Sequence, residues 1–238
     1  MREGTNADKS LQSLAAAAHE LKTPLAVISH MAAALEDESF GTGEQRQESL
    51  QRIQLLAERT MRLVQSLTDS YKLSADQLQL QLQPVNLGHV CEEVVHEMTT
   101  FAAMQHQTMQ LDLGSRSQIV VGNRELLHSI LFNLLDNAIR HTPPETTVRM
   151  RVSRQVDMAR VAVHDNGPGL RESDIARLSE RLGRHIQPIT TRSSGSGLGL
   201  YIAQQLAMAM GGAIGVGRAR VGADFHVDLL RSKQLNLL

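Results

Sequence analysis

The sequence His19-Glu20-Leu21-Lys22-Thr23-Pro24-Leu25 places three reactive groups on one predicted helix. Helical rotation of about 100° per residue puts Thr23 one turn after His19, on the same face. Pro24 has no N–H to donate, so the helix should bend there. A nucleophilic imidazole, the carboxylate of Glu20 and a hydroxyl are therefore predicted to gather at a kink. Because the chain has ten histidines, and a single helical histidine is usually solvated or packed, other motifs must decide the interpretation.

Two long helices are predicted around this stretch. Apolar residues recur at spacings of three and four from about Asp8 to Asp37, and again from about Glu44 to Ser74. Two glycines within residues 39–43 mark the turn between them. Such a hairpin, assigned to residues 1–74, cannot bury its apolar stripe alone. We therefore expect a homodimer in which two hairpins form a four-helix bundle.

The outer face of the second helix is rich in charged residues. The simplest interpretation is a solvated face, and a surface for a partner is the alternative. The residues of this face are Arg46, Glu48, Arg52, Glu58, Arg59 and Arg62.

The hydrophobic period changes from helical to alternating after the hairpin, and we place a linker or hinge at residues 75–84. Residues 85–238 mix helices and strands without strict β-α-β alternation, so an α+β fold with an α/β sandwich is favoured over a doubly wound sheet. The predicted helices are Leu87–Gln107, Asn123–His141 with Asn123 as N-cap, Glu172–Leu182 and Gly197–Met210. The predicted strands are Met109–Leu113, Ile119–Val121, Thr147–Gln155, Ala159–His164, Ala213–Val216 and Ala223–Leu229.

The composition limits the function classes. The chain has 238 residues, of which 42% are hydrophobic, as expected for a globular protein. A net charge of −1 gives no electrostatic case for binding nucleic acid or an anionic membrane. The single cysteine, Cys91, excludes an intramolecular disulfide and is expected to be buried in a reducing, cytoplasmic protein. We find no apolar run long enough to span a membrane, and we expect the cytoplasmic portion of a larger, membrane-anchored receptor.

The helix that begins near Asn123 carries polar residues at helical spacing. Asn133 and Asn137 lie one turn apart, and amide oxygens are neutral ligands of the kind that Mg²⁺ accepts. Arg140 and His141 follow on the same side, and a guanidinium can hold a phosphate. The opposite side of this helix is apolar, which argues against an ordinary solvated surface.

Two glycine-rich stretches follow. Asp165-Asn166-Gly167-Pro168-Gly169 comes directly after a strand, and Gly195-Ser196-Gly197-Leu198-Gly199-Leu200 opens a helix. Glycines let the backbone approach a phosphate, and a helix N-terminus offers free N–H groups. Each stretch alone is weak, because these residue types are ordinary turn formers. The second stretch matches neither a Walker loop nor a Rossmann fingerprint.

In this order, the motifs resemble those of the sensor histidine kinases of two-component signalling, over about residues 8–230. Residues 19–25 are similar to the family's H box, residues 133–141 to its N box, and residues 165–169 and 195–200 to its two glycine boxes. The resemblance implies a histidine phosphotransfer hairpin followed by a Bergerat-type ATP-binding domain, with ATP and Mg²⁺ as cofactors.

The resemblance also implies roles in the hairpin. His19 would attack the γ-phosphorus of ATP, and Glu20 would polarise the other imidazole nitrogen. Thr23 would position water for dephosphorylating a partner. That partner would be the receiver domain of a response regulator, whose aspartate accepts the phosphate from His19.

Nucleotide-binding roles are implied for the second domain. Asn133 and Asn137 would hold Mg²⁺ between the phosphates, and Arg140 would neutralise phosphate charge. His141 would lie against the adenine or ribose, and Asp165 would accept a hydrogen bond from the adenine amino group. The other implied nucleotide contacts are Gly167, Gly169, Arg192, Gly195, Ser196, Gly197, Leu198 and Gly199.

The sequence departs from the family pattern between the glycine boxes. Leu178 and Leu182 stand where the family's F box carries phenylalanine, at the base of the ATP lid predicted for residues 183–194. Leucine can still pack there, but we expect the docking of the lid to differ.

Three interpretations follow. The leading one is an ATP-dependent protein-histidine kinase. The alternative is an ATP-binding regulator phosphatase or conformational scaffold with weak kinase activity. The third, an ATPase of the gyrase, Hsp90 and MutL group, ranks last because those proteins lack a hairpin with an H box. Whether His19 receives phosphate from its own ATP domain or its partner's depends on the handedness of the hairpin turn, and stays open here.

Overall fold

The computed structural model describes residues 4–37, 41–74, 80–114, 118–184 and 198–232. A helical hairpin comes first and a mixed α/β domain follows, as the sequence predicted. The elements in chain order are α1 (Gly4–Glu36), α2 (Gly43–Ser74), β1 (Gln83–Asn86), α3 (Leu87–Met104), β2 (Thr108–Asp112), β3 (Ile119–Gly122), α4 (Arg124–His141), β4 (Thr147–Arg154), β5 (Met158–Asp165), α5 (Glu172–Arg184), α6 (Leu198–Ala209), β6 (Ala213–Gly217) and β7 (Asp224–Leu230).

The hairpin turn is fixed by side chains at the start of α2. Thr42 and Gln45 form a capping box, in which each side chain accepts a hydrogen bond from the other residue's backbone N–H (2.8 and 3.3 Å). Arg46 then donates to the carbonyls of Leu35 (2.7 Å) and Asp37 (3.1 Å). Because the last carbonyls of a helix lack intrahelical partners, these bonds also satisfy the end of α1.

The hairpin leaves large apolar side chains in contact with solvent. Leu25 on α1 is 54% exposed, and Leu50 and Met61 on α2 are 58% and 72% exposed. Within the part of the chain that the structure describes, neither helix is long and apolar enough to cross a bilayer. The dimeric four-helix bundle stays a prediction, as does a bend at Pro24, which lies inside the continuous helix α1.

The second domain is built on a five-stranded sheet with the order β2-β4-β5-β7-β6. The pair β2–β4 is parallel and the other pairs are antiparallel. Alternate residues of β4, β5 and β7 are buried, and α3, α4 and α6 pack against the sheet. Strands β1 and β3 form a separate antiparallel pair. One buried face and one open face are typical of antiparallel sheets.

Most predicted elements agree closely with the observed ones, but strand β1 was not predicted and α3 ends earlier than expected. The apolar pattern predicted a helix to Gln107, but α3 ends at Met104, because His106 adopts a left-handed conformation with φ 55°. The side chain of Gln107 turns inward and donates to the carbonyls of Ile139 (3.0 Å) and Thr142 (2.7 Å). These bonds anchor the end of α4.

Domain boundaries at residues 74 and 84 stay a prediction. Strand β1 already begins at Gln83, inside the predicted linker of residues 75–84. Residues 75–79 of that linker lie outside the described residues.

Cys91 lies on the buried face of α3 and has no exposed surface. Burial raises the pKa of its thiol from 9.0 to about 12, because the thiolate loses its hydration, and the charge of Glu92 adds to the shift. At pH 8 we therefore expect a thiol-reactive disulfide reagent to leave the folded protein unmodified. The same reagent should titrate one thiol after denaturation in guanidinium chloride. Rapid modification of the folded protein would contradict the burial of Cys91.

The same shift sets the sign of a pH effect on stability. The folded protein holds the thiol proton more tightly than the unfolded chain does. The contribution of Cys91 to the free energy of unfolding is therefore complete below pH 9. It should be lost as the pH rises from about 9 towards 12. A Cys91→Ala variant should show a smaller loss of unfolding free energy over that pH range.

Candidate functional site

Helix α4 carries the first polar cluster of the site. Its N-cap is Asn123, whose side chain accepts a hydrogen bond from the N–H of Leu126 (3.1 Å), in agreement with the prediction. The side chain of Asn133 is 7% exposed, and its Nδ2 donates to the carbonyl of Ser129 (2.8 Å). That bond leaves the amide oxygen of Asn133 directed towards the start of α6.

The start of α6 closes around this oxygen. A Cβ added at Gly199 would lie 3.2 Å from Oδ1 of Asn133, so a side chain there would crowd the amide oxygen. Asn137 is half-buried one turn further along α4. A buried amide oxygen beside a helix N-terminus, with a second amide side chain one turn away, suits a hydrated cation and the anion that it accompanies.

Asp165 ends strand β5 and is 5% exposed. Its Oδ1 accepts hydrogen bonds from the backbone N–H groups of Gly167 (2.8 Å) and Ala223 (3.3 Å). Its own N–H donates to the carbonyl of Ala223 (3.1 Å). Both bonds to the carboxylate end on Oδ1, so Oδ2 is the oxygen that a donor on a ligand would use.

A glycine that the sequence analysis did not select lies behind Asp165. Gly222 has φ +77°, and a Cβ there would lie 1.5 Å from the carbonyl oxygen of Asp165. Gly169 has φ +70°, and its added Cβ would lie 2.6 Å from the carbonyl oxygen of Gly222. The only signal in the sequence was an isolated glycine before a strand, which often marks a close approach of backbones.

The H-box-like stretch meets α4 within the same chain. Oε1 of Glu20 lies 3.5 Å from Nη1 of Arg140, and the side chain of Glu20 is only 10% exposed. His19 precedes Glu20 in α1, but its side chain lies outside the description. Thr23 is exposed one turn later. The structure therefore brings the residue next to His19 against the polar end of α4.

The remaining predicted residues fall into two groups. His141 is the half-buried last residue of α4, and Leu198 is the buried first residue of α6. Four predicted nucleotide contacts lie outside the described residues, and these are Arg192, Gly195, Ser196 and Gly197.

The leucines that replace the F-box phenylalanines are core residues. Leu178 and Leu182 on α5 are 1% and 3% exposed. Gln204 on α6 donates from Nε2 to the carbonyl of Leu182 (2.9 Å) and accepts from the N–H of Ile214 (2.9 Å). The two leucines are therefore packed in the core, and Gln204 joins the end of α5 to β6. Most of the predicted lid lies outside the description.

Two family models match the chain. Residues 10–76 match the His Kinase A (phospho-acceptor) domain. Residues 122–233 match the histidine kinase-, DNA gyrase B- and HSP90-like ATPase. The first match contains His19, and the second contains the polar residues of α4, Asp165 and Gly222.

Two of the proteins with similar sequences are named as a sensor protein kinase and a histidine kinase. The sensor protein kinase PmrB of Pseudomonas aeruginosa is 31% identical over 234 residues, covering 98% of this chain and 47% of that protein. The circadian input-output histidine kinase CikA of Synechococcus elongatus is 31% identical over 217 residues, covering 90% of this chain and 29% of that protein. The chain thus spans less than half of the length of these relatives.

Solved structures share the fold over both regions. The structure of full-length ShkA in complex with AMPPNP has a TM-score of 0.62 and 26% identity, covering 95% of this chain and 46% of that chain. The histidine kinase AdeS of Acinetobacter baumannii has a TM-score of 0.60 and 21% identity, covering 90% of this chain and 98% of that chain.

Proposed function

Because this chain belongs to the sensor histidine kinases, we propose that it transfers the γ-phosphate of ATP to His19 and then to an aspartate of a response regulator. The observation that carries the proposal is the contact between Glu20 and Arg140, 3.5 Å apart within one chain. It joins the phosphoacceptor stretch to the helix that also holds Asn133 and Asn137.

The residues around Asp165 suit an adenine nucleotide. Its Oδ1 is occupied by backbone N–H groups, so its Oδ2 can accept a hydrogen bond from the adenine amino group. Guanine carries a carbonyl oxygen at the corresponding position, which has no proton to donate and would place a partial negative charge against the carboxylate. We therefore propose that Asp165 selects ATP over GTP.

The polar face of α4 suits the phosphates. Asn133 and Asn137 would hold Mg²⁺, which offsets phosphate charge when bound. Arg140 would place its guanidinium beside the phosphates and so stabilise the charge of the transition state. The start of α6 at Leu198 and Gly199 would offer backbone N–H groups to the same anion.

His19 would supply the nucleophile. Because the reference pKa of imidazole is near 6.5, the neutral form dominates at pH 7, and one of its nitrogens has a free lone pair. One nitrogen would form the bond to the γ-phosphorus as the bond to the ADP oxygen breaks, and Glu20 would accept the proton of the other nitrogen. Thr23 would position water for a separate reaction, the dephosphorylation of the regulator.

We further propose a homodimer in the cytoplasm, where ATP and receiver domains are found. The exposed apolar side chains of the hairpin, such as Leu25, Leu50 and Met61, would be covered by a second copy. The proposed domains are a phosphotransfer hairpin at 1–74, a hinge at 75–84 and an ATP domain at 85–238.

The test is incubation with γ-labelled ATP and Mg²⁺, followed by acid and alkali treatment of the labelled protein. We expect a label that is lost in acid and stable in alkali, which indicates phosphohistidine. Omission of Mg²⁺ with excess chelator should prevent labelling. A steady release of phosphate without any phosphoprotein, despite ATP binding, would contradict the kinase and favour an ATPase.

A further inference from the structure

Three residues of α2 at helical spacing, Arg59, Arg62 and Ser66, face the ATP domain; we call them the α2 seam. Arg59 forms an ion pair with Asp136 on α4, in which Nη2 donates a hydrogen bond to Oδ2 (2.8 Å) and Nε lies 2.6 Å from Oδ1. The two side chains are 21% and 16% exposed. Because the guanidinium meets both oxygens of the carboxylate, the pair constrains orientation as well as distance, so it can set the angle at which α4 meets α2.

The second arginine of the seam binds α3. Nε of Arg62 lies 2.6 Å from Oε1 of Glu97, and Nε2 of His128 lies 3.2 Å from Oε2 of the same carboxylate. The guanidinium of Arg62 also lies 5.2 Å from the centre of the Phe132 ring. A cation over an aromatic face adds attraction when both groups are partly desolvated. The contact with Phe132 therefore reinforces the ion pair between Arg62 and Glu97.

Further contacts extend the seam at both ends. The guanidinium of Arg59 lies 5.2 Å from the centre of the Phe101 ring, and the hydroxyls of Ser66 and Ser129 are 2.7 Å apart. The seam therefore extends over about two turns of α2, and it meets both α3 and α4. Several contacts along the helix fix the orientation of the ATP domain relative to α2, whereas a single contact would leave the domain free to rotate.

The seam acts on the helix that carries the nucleotide residues. Asp136 lies between Asn133 and Asn137 in the sequence of α4, and Arg140 follows one turn later. At that later turn Arg140 meets Glu20 of α1, again in the same chain. Both helices of the hairpin thus hold α4 of their own chain, with its phosphate-binding end beside the residue that follows His19.

We propose that the α2 seam positions the ATP domain so that His19 receives the phosphate of ATP bound by its own chain. The inference rests on the proposed kinase activity. In the opposite arrangement, ATP bound by one chain of a dimer would phosphorylate His19 of the other. The seam residues are positioning residues, since they act through α4 and not on the nucleotide itself.

The direct test uses mixed dimers. One chain carries His19→Gln, the other carries Asn137→Ala, and different affinity tags allow purification of the mixed species after co-expression. Transfer within a chain predicts no label on either chain. Label on the Asn137→Ala chain would overturn the proposal. Mixed dimers of tagged wild-type chains must be labelled, which separates this result from a failure of the kinase activity itself.

A second test addresses the seam. Arg59→Asp should lower the labelling rate at saturating ATP at least tenfold, while the affinity for a fluorescent ATP analogue stays the same. The double variant Arg59→Asp with Asp136→Arg should restore the rate, because the ion pair is reversed. Arg52→Asp, an exposed arginine on the same helix, is the matched control and should be neutral.

Either of two results with Arg59→Asp would overturn the positioning role. An unchanged or higher labelling rate would show that the seam does not hold the productive arrangement. A parallel loss of ATP affinity, not restored in the double variant, would show a structural role in the ATP domain instead.

Discussion

Replacing His19 by glutamine is expected to abolish the acid-labile phosphate label completely, while ATP binding stays unchanged. Glutamine has a similar size and polarity, but its amide nitrogen is not nucleophilic, because its lone pair is delocalised into the carbonyl. Of its neighbours, Glu20 offers a carboxylate and Thr23 a hydroxyl, and neither group can form a phosphoramidate in its place. Since ATP would be held by the second domain, its affinity should not depend on residue 19.

The experiment compares two histidines on one helix. His30 also lies on α1 and is exposed, so His30→Gln is a matched control that should keep full labelling. Labelling is measured with γ-labelled ATP, and binding is measured by titration with a fluorescent ATP analogue. Loss of ATP binding together with labelling would indicate a structural role for His19. Persistent acid-labile label in His19→Gln would place the phosphoacceptor elsewhere.

Local patterns were sufficient to predict most of the fold. Alternating apolar residues predicted β4 and β5 as a hairpin, and the observed register pairs them antiparallel. The apolar side of α4 and its N-cap at Asn123 were equally local signals. The end of α3 was not a local signal, because the inward turn of Gln107 is stabilised by the carbonyls of Ile139 and Thr142 at the end of α4. These carbonyls lie 32 and 35 residues further along the chain.

The site was only partly predictable, for the same reason. The polar residues of α4 and the glycine stretches stand out in the sequence, and a resemblance gave them roles. Arg59 was interpreted as part of a solvated face, yet it binds Asp136, which lies 77 residues away. A helical pattern shows which residues share a face, but the neighbour that covers this face is decided by the packing of the whole chain.

Gly222 is the other residue that local patterns did not reveal, and its substitution should have the second large effect. Gly222→Ala is expected to lower the free energy of unfolding of the ATP domain by about 2–5 kcal/mol, the sum of a strained positive φ and a steric overlap. The added Cβ would lie 1.5 Å from the carbonyl oxygen of Asp165, and backbone cannot rotate away as a side chain could.

The loss should extend to nucleotide binding. The carbonyl of Asp165 belongs to the residue whose Oδ1 is held by the N–H groups of Gly167 and Ala223. Moving Gly222 away from Asp165 would displace Ala223 and with it one of these bonds. We therefore expect weaker binding of a fluorescent ATP analogue under conditions where the variant is still folded, measured by titration beside a guanidinium chloride denaturation curve.

Gly183→Ala is the matched control, because it makes the same chemical change in helix α5. A Cβ at Gly183 would have no atom within 4 Å, and alanine is favoured over glycine in helices by up to about 1 kcal/mol. The two variants should therefore change the free energy of unfolding in opposite directions. Equal stability and equal ATP affinity in Gly222→Ala and the wild type would show that the loop before β7 tolerates displacement. Gly222 would then be removed from the residues that hold Asp165 in place.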